Sequence, residues 1–457
     1  MENASIQDIL AGQRRFFASG KTKDVAYRIA LLSRLLKVIR DNHRLILDAL
    51  AADMRKPKLE AYASEIAITL NEIKYIMRKL PSWTRPKFAM TARPLLPSLC
   101  SITKEPLGVV LIIAPWNYPF QLAVAPLVGA IAAGNCAVVK PSELAPNTSE
   151  TIKKIFSMNF DSSSIAVVTG GPETAQTLLA ERFDHIFYTG STRVGKIVMK
   201  AASHHLTPVT LELGGKSPCI VDTDVHLEYT ARRIAWGKFF NAGQTCIAPD
   251  YLLVEAGIKQ AFLKVLKEQI FGFYGPDPSL SPDYARIINS NHFNRLCSYL
   301  SQGDIIIGGR TKPDERYIAP TVMDNVALDA PIMTEEIFGP ILPVVAYTDL
   351  DEAINFVNAR PKPLSLYVFT RDKTKQDRVL SGTSSGAVCI NDVVIHFASH
   401  YLPFGGVGDS GMGKYHGHTS FETFSHTKSI VKNTLRFDIP LRYVPYRFKF
   451  PLVKRFF

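Results

Sequence analysis

The sequence predicts an α/β fold in which a parallel sheet is covered by helices on both faces. Beyond Leu107, short apolar runs rich in β-branched residues alternate with helical patterns. Such alternation predicts parallel strands joined by right-handed crossovers. A length of 457 residues is sufficient for two large domains or three smaller ones. Hydrophobic residues make up 46% of the chain and charged residues 21%, which is ordinary for a globular protein.

Three helical patterns precede the alternating region. Ser5 and Asp8 have the spacing of a capping box and predict the start of the first helix. Apolar residues at helical spacing predict a second helix over 25–39 and a third within 60–80. An extended arm is then predicted from the prolines Pro81, Pro86, Pro94 and Pro97.

Strands and helices are predicted in order through the rest of the chain. The first group of strands is predicted at 107–113, 137–139, 165–168 and 185–189. Helices are predicted to begin near Phe120, Thr148, Pro172 and Arg193. A second group of strands is predicted at 217–221, 252–255 and 366–369.

An uncharged stretch at 106–139 has the hydropathy of a membrane span. It is interrupted by Pro115, Pro119 and Pro126, which would leave backbone groups unpaired in lipid. We therefore predict a buried strand, a turn, a buried helix and a second strand.

Charge and cysteine content narrow the class of protein. The net charge of +12 is dispersed and carries no nucleic-acid recognition motif, so a surface suited to an anionic cofactor or lipid is favoured over nucleic-acid binding. Six cysteines occur without a C-x-x-C pair, which argues against a zinc ribbon or a disulfide scaffold. No pair of histidines four positions apart lies on a predicted helix, so no metal is predicted. A reducing, cytoplasmic location is predicted.

Three reactive side chains lie in turns rich in glycine or proline. Cys246 ends the run NAGQTC, Glu212 precedes two glycines, and Asn117 lies between Pro115 and Pro119. A thiol can attack a carbonyl carbon, a primary amide can donate a hydrogen bond to the resulting oxyanion, and a carboxylate can activate water. Together these residues are the groups needed to oxidise an aldehyde through a covalent thioester, whereas a single cysteine considered alone is more often a packing residue.

Longer motifs around these residues resemble the aldehyde dehydrogenase superfamily, and within it the class 3, fatty-aldehyde type. The matching stretches are PLGVV at 106–110, WNYPF at 116–120, GQTCIAPD at 243–250 and PFGGVGDSGMGKYHG at 403–417. The resemblance implies the aldehyde dehydrogenase fold, with a Rossmann-type cofactor domain, an α/β catalytic domain and a small oligomerisation arm. It implies a cofactor domain at 1–80 and 100–211, a catalytic domain at 212–395, oligomerisation or bridging segments at 81–99 and 396–434, and a basic aromatic tail at 435–457.

A nicotinamide cofactor is part of the same prediction. The turn at 188–195 follows an apolar strand and opens a helix, whose N-terminus can face a pyrophosphate. The resemblance implies that the cofactor contacts Trp116, Lys140, Glu143, Gly190, Ser191, Gly195, Leu213, Glu336, Phe338 and Phe404. A carboxylate at Glu143 predicts NAD, because it would repel the 2′-phosphate of NADP. Class 3 relatives often accept both, so NADP stays an alternative.

The predicted function is NAD(P)-dependent oxidation of aldehydes to carboxylic acids. The resemblance implies medium- or long-chain aliphatic, aromatic or isoprenoid aldehydes, including apocarotenoids. One alternative is a CoA-acylating enzyme, although such relatives lack the general-base glutamate, which here is Glu212. Another is a catalytically silent relative, which would be expected to lose Cys246, Glu212 or Asn117.

A homodimer is also predicted, and the tail at 437–457 has two interpretations. It contains five basic residues against Asp438 alone, interleaved with Phe and Tyr. It either packs across the dimer partner or contacts an anionic membrane surface, where each basic residue is worth about 1 kcal/mol. Its prolines Pro440, Pro445 and Pro451 exclude one continuous helix.

Overall fold

A computed structural model describes residues 5–436 and 438–454. In these residues the helices α1–α17 are, in order, Ile6–Ala18, Val25–Asp41, His43–Met54, Lys58–Ala61, Ile68–Trp83, Gln121–Ala133, Pro146–Asn159, Pro172–Ala180, Thr192–Ser203, Leu227–Phe239, Lys259–Tyr274, Ser290–Tyr299, Pro331–Thr334, Leu350–Asn358, Lys373–Gly382, Gly417–Thr423 and Phe450–Lys454. The strands β1–β18 are Lys87–Ala89, Leu99–Pro106, Val109–Ile113, Cys136–Lys140, Ile165–Val167, His185–Gly190, Val209–Leu213, Pro218–Val221, Tyr251–Glu255, Asp304–Ile307, Thr311–Lys312, Tyr317–Ile318, Thr321–Asp324, Ile341–Tyr347, Ser365–Phe369, Ala387–Ile390, Gly411–Met412 and Ser425–Lys432.

The N-terminal helices agree with the sequence patterns, with two differences. Ser5 caps α1 by accepting a hydrogen bond from the Asp8 backbone N–H, as predicted. The third predicted helix is α4 and α5 joined by a π-helical segment, Tyr62–Ala67. Pro81 lies inside the last turn of α5, so the arm begins after Thr84 rather than at Pro81. Helix α3 was not predicted.

The first sheet has six strands in the order β17-β7-β6-β3-β4-β5. All pairs are parallel except β17 with β7. The uncharged stretch forms β3, α6 and β4, and every residue of these three elements is buried. The prediction that this stretch is core is confirmed, as is the predicted alternation of strands and helices. No helix in the described residues is long and apolar enough to span a bilayer.

The second sheet has seven strands in the order β10-β13-β14-β9-β8-β15-β16. Its pairs are parallel except β10 with β13. The predicted strands of this region correspond to β8, β9 and β15. In a parallel sheet the loops that bind ligands follow the carboxyl ends of the strands. The two sheets can therefore place side chains from distant segments around a shared cavity.

A small antiparallel sheet, β1-β2-β18, forms the arm. Strand β2 pairs along its whole length with β18, from Leu99 opposite Lys432 to Pro106 opposite Ser425. Residues 100–106, which we predicted in the cofactor domain, therefore belong to this sheet. Conversely, β17 lies within the predicted bridging segment 396–434 but extends the first sheet, with Gly411 opposite Glu212. The division into domains itself stays a prediction.

The C-terminal tail is not one continuous helix where it is described. A single turn, Pro440–Arg442, is separated from α17 by an irregular stretch. Tyr446, Phe448 and Phe450 are exposed. Of the predicted basic residues of the tail, Arg455 lies outside the described residues.

Candidate active site

The three predicted catalytic residues lie around one cavity of about 430 Å³. Cys246, Glu212 and Asn117 all contribute to its wall, although they are up to 129 positions apart in the sequence. Seven predicted cofactor residues line the same cavity: Trp116, Gly190, Ser191, Leu213, Glu336, Phe338 and Phe404. Lys140, Glu143 and Gly195 do not line it.

The loop that carries Cys246 has an unusual backbone. Asn241, Ala242 and Gly243 follow one another with φ of 54°, 51° and 73°, in the left-handed region. At Gly243 a Cβ atom would lie 2.3 Å from the carbonyl oxygen of Gly339, so only glycine fits. This reversal of the chain after α10 brings the partly exposed Cys246 to the cavity.

Gln244 holds this loop in place. Its Nε2 donates to the carbonyl oxygens of Asn241 and Arg286 at 3.1 and 3.0 Å, and its Oε1 accepts from the Ile288 N–H at 3.0 Å. Gln244 is fully buried, so these bonds satisfy a polar group that would otherwise be costly to bury. The sequence analysis did not identify Gln244 as a structural residue of the loop.

The Asn117 amide is fixed to the same loop. Its Nδ2 donates to the Gln244 carbonyl oxygen at 3.1 Å. Because a primary amide nitrogen carries two hydrogens, the second can be donated to an oxygen in the cavity. Asn117 is 3% exposed, and a hydrogen bond made at such a dry site is stronger than one in water.

The surroundings of Cys246 oppose formation of the thiolate. Burial and the carboxylates of Glu336 and Glu212 raise the pKa of the thiol above its ordinary value. The backbone N–H groups of Cys246 and Ile247 act in the opposite direction and lower that pKa. Both N–H groups therefore favour negative charge at the sulfur.

The carboxyl group of Glu212 is buried and makes no hydrogen bond with the described residues. Glu212 lies in β7 and is 3% exposed, and neither carboxyl oxygen has a hydrogen-bond partner among the described residues. Burial raises its pKa well above the ordinary value, while Lys414 opposes the shift. A carboxyl group without fixed partners and with a raised pKa is suited to general acid–base chemistry near neutral pH.

Glu336 fits the ribose of a nicotinamide cofactor. Burial and Asp250 raise the pKa of its carboxyl group to about 8, whereas the Gly215 N–H lowers it. Its Oε1 has no hydrogen-bond partner among the described residues. A Cβ on Gly214 would lie 1.9 Å from its Oε2, so a larger residue there would displace this carboxylate. A buried acceptor left free in this way fits a hydroxyl donor of the cofactor.

The first turn of α9 fits a pyrophosphate. Strand β6 ends at Gly190, and Ser191 caps α9 by accepting from the Val194 N–H. At Gly195, a Cβ would lie 2.7 Å from the Leu213 side chain, so glycine lets α9 approach β7 closely. The free N–H groups at the start of this helix can bind an anion.

Lys140 and Glu143 form an ion pair away from the cavity. Lys140 ends β4 and is buried, and its Nζ lies 3.0 Å from Glu143 Oε2. The Glu143 side chain is 38% exposed. A cation and a carboxylate side by side at a strand end can bind both hydroxyls of a ribose.

Many of the other side chains in the wall are aromatic or aliphatic. Trp116 meets Phe338 edge to face at a ring-centroid distance of 5.2 Å, and Phe404 packs against Tyr415 at 5.8 Å. Wall residues that the sequence analysis missed are Ile68, Leu122, Trp236, Phe240, Val394, Ile395 and Phe397. Trp236 and Phe240 are four positions apart and come immediately before the loop that carries Cys246. This helical spacing could have indicated that the two side chains share a face. Phe397 lies in the predicted bridging segment.

The chain is similar to proteins of one family over nearly all of its length. The sequence profile of the aldehyde dehydrogenase family matches residues 2–430. Identity is 50% to the 4,4′-diaponeurosporen-aldehyde dehydrogenase of Staphylococcus aureus over 446 residues, which covers 97% of each chain. It is 49% to aldehyde dehydrogenase family 3 member A2 of Mus musculus, covering 94% of this chain and 90% of that one. A dimeric NADP-preferring aldehyde dehydrogenase of Canis lupus familiaris is 47% identical, covering 97% and 98%.

Solved structures agree with these relatives. The substrate-bound state of Staphylococcus aureus AldH superimposes with a TM-score of 0.97 at 48% identity, covering 99% of this chain and 100% of that one. An indole-3-acetaldehyde dehydrogenase in complex with NAD⁺ superimposes with a TM-score of 0.86 at 29% identity, covering 94% and 88%. The predicted fold class is confirmed by these similarities.

Proposed function

The chain belongs to the aldehyde dehydrogenase family and is an NAD(P)-dependent aldehyde dehydrogenase, and from this premise we propose that Cys246, Asn117 and Glu212 carry out its reaction. The observation that supports this assignment is their convergence on one cavity, with the Asn117 amide hydrogen-bonded to the Cys246 loop. Cys246 Sγ attacks the aldehyde carbon to form a thiohemiacetal, and the thiol proton leaves to solvent or to Glu212.

The oxygen of this adduct becomes negatively charged and is stabilised by two donors. These are the Asn117 amide and the Cys246 backbone N–H. A bound nicotinamide cofactor would supply the hydride acceptor that this adduct needs to become a thioester. Trp116, Gly190, Ser191, Leu213, Glu336, Phe338 and Phe404 would hold the cofactor at the cavity, and Lys140, Glu143 and Gly195 would hold it beyond that wall.

Hydrolysis of the thioester is assigned to Glu212. In its ionised form the carboxylate takes a proton from water, whose oxygen attacks the thioester carbon. The Cys246 thiolate leaves and the carboxylic acid is released. A CoA-acylating enzyme would transfer the acyl group to CoA instead, and the buried Glu212 beside Cys246 favours water. Adding CoA to purified protein should therefore leave the rate of aldehyde-dependent NADH formation unchanged.

We propose that the substrates are long apolar aldehydes. The wall of Trp236, Phe240, Ile395 and Phe397 offers dispersion contacts and few polar groups to a chain. The relative from Staphylococcus aureus acts on 4,4′-diaponeurosporen-aldehyde by its name, which supports isoprenoid and apocarotenoid aldehydes here.

Chain length should accordingly control kcat/KM. Each buried methylene contributes about 0.8 kcal/mol, so kcat/KM should rise about threefold to fourfold per CH₂ until the cavity is filled. The measurement is kcat/KM for a series of straight-chain aldehydes, with an aromatic and an isoprenoid aldehyde for comparison. A series without dependence on chain length, or one that favours short polar aldehydes, would contradict the proposal.

We propose NAD as the preferred cofactor, on the basis of Glu143. Glu143→Gln should lower the preference for NAD, measured as kcat/KM for NAD divided by kcat/KM for NADP, by roughly twofold to tenfold. The substitution removes a negative charge and leaves Lys140 free to attract the 2′-phosphate. Glu268→Gln on α11 is the matched control, because it changes the net charge equally on an exposed surface of the other sheet. A wild-type enzyme with a wide preference for NADP would contradict the assignment.

A homodimer in the cytoplasm completes the proposal. Support for a dimer comes from the relative that is named dimeric, and support for a reducing compartment from six free cysteines. The tail at 438–454 exposes Tyr443, Tyr446 and Phe448, which suits either a partner subunit or an anionic membrane. Co-sedimentation with anionic liposomes at low and high salt distinguishes the two, because membrane binding through basic residues is lost at high salt.

A further inference from the structure

A buried ion pair lies beside the active site and has no part in the mechanism above. Lys56 precedes α4, and Glu65 lies in the π-helical segment Tyr62–Ala67. The Lys56 Nζ and Glu65 Oε1 atoms are 2.5 Å apart, and both side chains are fully buried. Replacing such a pair by apolar residues is often neutral or stabilising, so stability alone does not account for it.

Both members of the pair bind the turn that carries Asn117. The Lys56 ammonium donates to the backbone carbonyl oxygen of Asn117 at 3.0 Å. The second oxygen of Glu65 accepts from the N–H groups of Phe120 and Gln121 at 2.9 and 3.3 Å. These N–H groups belong to the residue before α6 and to its first residue, and neither has a partner within the helix. The ion pair therefore fixes both ends of the short turn between Asn117 and α6.

The segment that contains Lys56 and Glu65 also contacts the loop that carries Cys246. Glu60 Oε2 accepts from the Asn241 N–H at 3.1 Å. The Asn241 side chain donates to the Asn117 carbonyl oxygen at 3.0 Å and to the Gln244 carbonyl oxygen at 3.2 Å. Lys56 and Asn241 thus share the Asn117 carbonyl as acceptor, which links the ion pair to the loop of Cys246.

We infer that Lys56 and Glu65 are positioning residues that set the distance between the Asn117 amide and the carbonyl bound at Cys246. The inference rests on the proposed role of Asn117 as an oxyanion donor. An oxyanion donor is effective only at a defined position, and a displacement of about 1 Å can cost roughly 10²-fold in rate. The segment 62–67 is a π-helix, a rare form that is frequent at functional sites. Neither residue lines the cavity, so both act through Asn117 rather than on the substrate.

The test replaces the pair as a unit, because a single change would leave one charge buried without a partner. In Lys56→Met/Glu65→Leu, the rate of the NADH burst in a single turnover should fall roughly tenfold to a hundredfold. The affinity for NAD should stay near that of the wild type, whereas the thermal unfolding midpoint should fall because the Phe120 and Gln121 N–H groups lose their acceptor, so the burst is measured well below that midpoint. The matched control is Lys37→Met/Asp41→Leu, which removes an exposed ion pair on α2 and should leave the burst unchanged.

A double-mutant comparison shows whether the pair acts through Asn117. In an Asn117→Ala background, the same two substitutions should cause no further loss in burst rate. Multiplicative losses would overturn the inference, as would a normal burst in Lys56→Met/Glu65→Leu while Asn117→Ala is slow. A normal burst in Asn117→Ala would refute the oxyanion role itself, and the inference with it. If that double variant does not fold, Lys56→Gln/Glu65→Gln, which removes both charges and keeps hydrogen-bonding groups at both positions, is tested by the same comparison.

Discussion

Replacing Cys246 with serine should lower aldehyde-dependent NADH formation by about 10⁴-fold or more. The thiolate is intrinsically the stronger nucleophile, and a serine hydroxyl requires a closely placed base to compete with it. At this site burial and two carboxylates already oppose ionisation of the thiol, and they would oppose ionisation of a hydroxyl still more. The variant should therefore lack both the burst and steady-state turnover.

Cofactor binding provides the control for this variant. Glu336 and the N-terminus of α9 do not depend on the sulfur, so the Kd for NAD should stay within about twofold of the wild-type value. Cys100→Ser, on β2 of the arm sheet, is the matched cysteine variant and should keep full activity. Turnover by Cys246→Ser at a wild-type rate would remove Cys246 from the mechanism.

Local sequence patterns were sufficient to predict most of the fold. Strands such as Val109–Ile113 and Cys136–Lys140 are continuous apolar runs bounded by turn residues, so their type and position follow from composition. Helix α3 was missed because only Asn42 separates it from α2, with neither proline nor glycine to mark the break. The pairing of β2 with β18 joins residues more than 300 positions apart, and no local pattern carries that information.

The candidate site was predictable where glycine and proline mark its backbone. Gly243 precedes Cys246 and Gly214 follows Glu212, and at both positions a Cβ would clash. The constraint at Gly243 is visible in the sequence, because φ is positive there and the Cβ would meet backbone, so only glycine fits. The Lys56–Glu65 pair was not predictable, since lysine and glutamate side chains are normally exposed. Their contacts with Asn117 and Phe120 arise from packing of the N-terminal helices against α6, which a sequence does not display.

Replacing Glu212 with glutamine should separate the two halves of the reaction. Glutamine keeps the size of the side chain but cannot take a proton from water, so the thioester should form and then persist. The expected result is one NADH per Cys246 in the burst, followed by a steady-state rate lower by about 10²- to 10⁴-fold. Mass spectrometry of the protein after the burst should show one acyl group per chain. Full steady-state turnover would remove Glu212 from the mechanism.

The pH dependence of steady-state turnover should differ between the wild type and Glu212→Gln, because only the wild type has an ionisable carboxyl group at this position. Because burial raises the pKa of Glu212, the carboxyl group is protonated at low pH and ionises only as the pH rises. When deacylation limits the rate, steady-state turnover of the wild type should therefore increase as the pH rises through the raised pKa of Glu212. Glu212→Gln should not show this increase. Hydroxylamine attacks thioesters without a general base, so adding it after the burst, once free aldehyde has been removed, should release the acyl group and restore a second burst to Glu212→Gln at every pH at which the first occurs. Restoration would place the defect in deacylation, whereas failure to restore it would place the role of Glu212 before the thioester, in activation of the Cys246 thiol.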